Sequence, residues 1–90
     1  MSVRQLNVID ISEKDYLFNA RIKVGLAIRE FREKRGYSQC QLAEIMDISR
    51  STISKIENGK FSFSIDYLSK FSYFLDFELC IDDKNKKILK

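Results

Sequence analysis

Ninety residues make one small domain, with room for a single core and none for a second module. Hydrophobic content of 44% and charge of 32% are those of an ordinary globular chain, and no run of about 18 apolar residues supplies a membrane span. Net charge is only +3, yet residues 1–20 carry −1, residues 21–60 carry +4 and residues 61–90 carry zero, so the positive excess is confined to the middle of the chain.

Leu6 to Ile11 reads as a short strand. Ser12-Glu13-Lys14-Asp15 then opens a helix, with Ser12 as N-cap and acids in the first turn. Val24, Ala27, Ile28 and Phe31 recur at steps of three and four and predict one buried face, while Gly25 predicts a break or restart near residue 21. Lys34-Arg35-Gly36 is a basic last turn followed by a left-handed cap. Ser38-Gln39-Cys40-Gln41 is a capping box opening a second helix, whose buried stripe is Leu42, Ala43 and Met46. Asp47 stands where the chain must turn sharply. Ser49 caps a third helix through about Asn58, with Ile53 and Ile56 inward, and Gly59 ends it. Ser64 begins a fourth helix with Ile65, Leu68, Phe71, Ser72 and Leu75 on its inner face. Phe77 to Asp82, FELCID, alternates apolar and polar as a half-buried strand does, and the tail DDKNKKILK is charged and expected to fray. The organisation expected is an extension over 1–20, a helical domain over 21–77, and a strand with a basic tail over 78–90.

Several chemistries are disfavoured. The chain has no histidine, hence not the commonest general base, and no nucleophile has an evident base beside it. Cys40 and Cys80 match no metal-ligand spacing and are expected to be free thiols in a reducing compartment. No metal, no cofactor and no enzyme activity are expected. The amino terminus lacks the pattern of a signal peptide, which makes the expected location cytoplasmic.

What remains is Tyr37 to Lys60, two short helices joined by a tight turn, the second with a polar, basic face. A protein offers a helix to the DNA major groove in this way. Here the chain resembles the phage repressor/Cro-type helix-turn-helix, the XRE family, in the S-Q-x-x-L-A of Ser38 to Ala43, the S-R-S-T-I-S of Ser49 to Ser54 and the I-E-N-G-K of Ile56 to Lys60. The I-R-x-F-R of Ile28 to Arg32 and the I-D-Y-L-S-K-F of the next helix agree in order and register, so the resemblance covers roughly residues 22 to 77. It implies an all-α, lambda-repressor-like bundle of four to five helices. It also implies base contacts by Arg50, Ser51 and Lys55, phosphate contacts by Gln39, Thr52, Asn58 and Lys60, and a structural ion pair between Arg32 and Glu57. Helix geometry agrees: 51 and 55 are one turn apart, and Ile53 and Ile56 face the other way. The family commonly has glycine in the turn where this chain has Asp47, a residue that tolerates positive φ better than most.

Seven of the eleven aromatics lie between Phe61 and Phe77, more than one face of a short helix can bury. Phe63, Tyr67 and Phe74 are expected to be surplus to the intramolecular core and, with Phe77 and Leu79, to form a homodimer interface, unless the segment with Tyr16, Leu17 and Phe18 folds over them. Two recognition helices would then read a pseudo-palindromic operator in double-stranded DNA. The register of Leu79, Cys80, Asp82, Lys84 and Asn85 resembles the carboxy-terminal strand of HipB-like antitoxins, which implies a toxin protein as an alternative partner. A protein-interaction module without DNA binding is the minor alternative. The leading expectation is a dimeric transcriptional repressor.

Overall fold

Four serines begin four helices. The computed structural model describes residues 12–83, which form α1 (Glu13–Lys34), α2 (Gln39–Met46), α3 (Arg50–Glu57) and α4 (Ile65–Leu75). The Oγ atoms of Ser12, Ser38, Ser49 and Ser64 accept from the backbone N–H three residues on, at 3.2, 3.0, 3.0 and 3.1 Å, and each satisfies a donor that a helix start leaves over. At Ser38 the bond is reciprocated, its own N–H donating to Gln41 Oε1 at 2.8 Å.

The exits are equally uniform. Tyr37, Ile48, Lys60 and Phe77 each donate an N–H to the carbonyl five residues back, at 3.1, 3.0, 2.8 and 3.2 Å, closing the last turn of each helix. The residue before each donor is left-handed: Gly36 at φ 82°, Asp47 at 58°, Gly59 at 73° and Asp76 at 56°. Two of the four are aspartates, the residue type that, with asparagine, visits this region most readily after glycine.

Ile28, Leu42, Ala43, Met46, Ile53, Ile56, Phe71 and Leu75 form one buried cluster to which every helix contributes. Around it lie half-buried Val24, Phe31, Leu68 and the aromatics Phe61, Phe63, Tyr67, Phe74 and Phe77. The fold is all-α among the described residues.

Several expectations change. α1 runs unbroken for 22 residues through residue 21, because Gly25 marks a close approach and not an interruption: a Cβ there would stand 2.3 Å from Ile56 O and 2.9 Å from Glu57 O. Ala27 is exposed, since the buried stripe of α1 runs through Gly25, Ile28 and Arg32. Ile65 is 68% exposed. Phe61 against Tyr67 (5.7 Å) and Tyr67 edge-on to Phe71 (6.0 Å) fill that end of the core in its place. Phe63, Tyr67 and Phe74 are not left bare by a single chain; Tyr73, at 80% exposure, is. Tyr16, Leu17 and Phe18 occupy the first turns of α1 and remain half-exposed, although Leu17 shares a groove with Phe63.

Residues 77–82 form no strand. Phe77 is half-buried and stacks on Phe31 at 4.6 Å, but Leu79 and Ile81 are exposed, because no segment among the described residues offers them a ladder partner. The strand expected over Leu6 to Ile11 and the tail from Lys84 lie outside the described residues. Among the described residues no helix is long and apolar enough to cross a membrane, and no cluster of metal-ligating side chains occurs. Cys40 and Cys80 are free and exposed.

Candidate nucleic-acid interface

α2 and α3 are joined by Asp47, Ile48 and Ser49. Asp47, at φ 58° and ψ 47°, reverses the chain, and half-buried Ile48 anchors the turn to the core. Ser49 then starts α3 through its bond to Thr52 N and a second contact, 2.8 Å, with Thr52 Oγ1. A rigid turn with satisfied caps gives α3 one orientation.

α3 is strongly two-sided. Ile53 and Ile56 are fully buried, while Arg50, Ser51 and Lys55, the three expected to reach bases, are all exposed on a helix whose single acid is Glu57. Thr52 is half-buried and engaged with Ser49. Asn58 is exposed and donates Nδ2 to Ser54 O at 2.8 Å, and exposed Lys60 follows the left-handed Gly59.

Glu57 is removed from this outer surface. It is 5% exposed and accepts from Arg32 Nε at 2.6 Å and from the second guanidinium nitrogen at 3.1 Å; Arg32 is itself 8% exposed. The remaining Arg32 nitrogen donates to Tyr37 O at 2.8 Å, in the connection to α2. Hydrogen bonding to Glu57 raises the Arg32 pKa above the ordinary arginine value against the opposing effect of burial, with the charges of Glu57 and Glu33 adding to the rise. Gln39, the first residue of α2, is half-buried and donates Nε2 to Glu57 Oε1 at 3.0 Å. Three helices thus meet on one carboxylate. Its charge is neutralised, which leaves Arg50 and Lys55 as the net charge of α3.

One structural residue escapes a sequence reading. Arg35 donates to Leu75 O at 2.9 Å and Asp76 O at 2.8 Å, tying the last turn of α1 to the exit of α4, and Ser72 Oγ donates to Phe77 O beside it. Nothing in the local pattern marks Arg35 apart from the neighbouring basic residues. Gly25 does carry a signal, since a glycine inside a helical pattern has either a packing reason or a cost.

The likenesses to known proteins fall on this same region. Residues 28–80 match the family described as helix-turn-helix. The competence pilus inhibition repressor of Acinetobacter baylyi is 40% identical over 50 residues, covering 52% of this chain and 46% of that protein. The HTH-type transcriptional regulator SinR of Bacillus subtilis is 35% identical over 66 residues, covering 70% of this chain and 60% of that one. This chain therefore spans less than two thirds of either curated relative. Among solved structures, the restriction-modification controller protein C.AhdI of Aeromonas hydrophila superposes with a TM-score of 0.63 at 32% identity, over 67% of this chain and 91% of its own.

Proposed function

Because this chain belongs to the helix-turn-helix family of transcriptional regulators, we propose that it is a sequence-specific, double-stranded-DNA-binding repressor that acts as a homodimer. The observation that carries the reading is the division of α3 into a pinned inner face, Ile53 and Ile56, and an exposed outer face bearing Arg50, Ser51 and Lys55. Arg50 and Lys55 are donors suited to guanine O6 and N7, a contact that discriminates by about 1–3 kcal/mol when bidentate. Gln39, Thr52, Asn58 and Lys60 flank that face and contact phosphate, which sets register without reading sequence. The repressor named among the relatives favours repression.

A single α3 spans too little of the groove for a long operator. Exposed Ile65, and Tyr73 in edge contact with half-buried Phe74, join Phe63, Tyr67, Phe77 and Leu79 as the apolar side chains that a second copy would cover. A two-fold pairing there separates the recognition helices by roughly 34 Å, one turn of DNA. Selection of binding sites from random duplex DNA tests the reading: a two-fold-symmetric motif is the expected result, and its half-site spacing reports the dimer geometry. Absence of enrichment by folded protein would overturn autonomous operator binding. A second reading, an antitoxin of the HipB-like kind, is favoured by the exposed Leu79 and Ile81 on the extended segment, to which another protein could add. Enrichment only in the presence of a toxin partner is its signature.

A further inference from the structure

From the single carboxylate shared by three helices we infer that Glu57 is a positioning residue for phosphate recognition, holding the Gln39 amide so that its second Nε2–H is presented to the DNA backbone. The inference rests on the DNA-binding reading of Gln39 and adds the device that aims it. Gln39 opens α2, where the first-turn N–H groups and the helix dipole already favour an anion. A glutamine side chain there has two orientations that differ by exchange of nitrogen and oxygen. Glu57 Oε1, 3.0 Å away, selects one, because an amide oxygen facing a carboxylate is repelled while an N–H is bound. One N–H is then used and one is left over. A phosphate oxygen needs that remaining donor.

Burial of Glu57 beside an anion site is tolerable only because Arg32 neutralises it in a two-nitrogen pairing. Glu57 is the last residue of α3, and therefore the residue that orients the phosphate contact belongs to the recognition helix. Docking of α3 and clamping of the backbone at α2 share one fixed point.

A double-mutant cycle on operator affinity is the test, with Gln39→Ala, Glu57→Gln and the pair. Gln39→Ala is expected to weaken binding roughly tenfold and to leave the slope of log affinity on log salt nearly unchanged, because the amide carries no charge and releases no counterion. In the Glu57→Gln background, removing Gln39 is expected to cost at most about twofold, since the amide has already lost its orientation. Additive effects of the two substitutions overturn the proposal. Should Glu57→Gln fail to fold, the side-chain amide resonances of Gln39 in the unmodified protein decide. One Nε2 proton displaced from its free-glutamine position in the absence of DNA, with only the other shifting on adding operator DNA, supports it; both protons at free-glutamine positions, or two that shift together, refute it. If the unmodified protein binds no duplex at all, the DNA-binding reading is what falls.

Discussion

Gly25 and Gly36 are the same residue type under opposite constraints. At Gly36 a side chain would meet nothing within 4 Å, but φ is +82°, so Gly36→Ala costs only the left-handed strain, about 1 kcal/mol. At Gly25 the backbone is ordinary helix, and alanine gains propensity but drives a methyl into the Ile56 and Glu57 carbonyls. Gly25→Ala is expected to cost about 3 kcal/mol or more by urea unfolding, because α1 must move off α3. Asp47 has the converse problem: it pays strain at φ 58°, and among the described residues no side-chain hydrogen bond offsets it. Asp47→Gly is expected to raise stability by about 1 kcal/mol, seen as a higher thermal midpoint; a lower midpoint would mean that the carboxylate has a role in the turn. The raised Arg32 pKa gives the ion pair its pH window. Its contribution is present below the ordinary arginine value and disappears only as pH rises through the raised one, so the arginine causes no alkaline loss of stability near neutrality.

On the scale of an element, α3 is held at its start by Ser49, along its length by Ile53 and Ile56, and at its end by the pairing of Glu57 with Arg32. Eight residues make a helix too short to persist in isolation, so its geometry is borrowed from the bundle. Substitutions on the outer face should therefore change recognition without changing stability. Arg50→Ala is expected to relax the selected sequence in one part of each half-site, by about 1–3 kcal/mol of lost discrimination, when site selection is repeated. Lys60→Ala is expected to weaken all duplexes alike and to lower the salt slope by about 0.9. An unchanged motif for the Arg50 variant would remove Arg50 from base reading. Two elements differ from their local pattern for related reasons. The glycine in α1 looks like a breaker until α3 packs on it, and FELCID looks like a strand although no described segment pairs with it.

For the whole molecule, the apolar surface at α4 and after it is the place where the proposed second copy would sit. Replacing Ile65 and Tyr73 together by lysine should leave the monomer folded, since neither belongs to the buried core. Light scattering at micromolar concentration is expected to show a dimer for the unmodified protein and a monomer for the double variant. A variant that stays dimeric would move the interface elsewhere, and an unmodified protein that is monomeric with and without DNA would end the two-fold reading.

The serine caps, the left-handed Gly36, Gly59 and Asp47, the inward Ile53 and Ile56 and the helix-turn-helix itself were legible in sequence, because capping and periodicity are local and recur within one or two turns. The meeting of Gln39, Arg32 and Glu57 on one carboxylate was only half legible: the resemblance implied the ion pair, while the Gln39 bond crosses 18 residues and exists only once α2 and α3 are packed. Arg35 reaching the carbonyls of Leu75 and Asp76, 40 residues and more away, left no local trace. The partial burial of Phe63, Tyr67 and Phe74 against the core was likewise beyond a count of aromatics, since how far a core covers a ring depends on the space that four helices enclose together. Local backbone energetics determined the elements; long-range packing decided which polar groups share a partner and which apolar ones are left for another molecule.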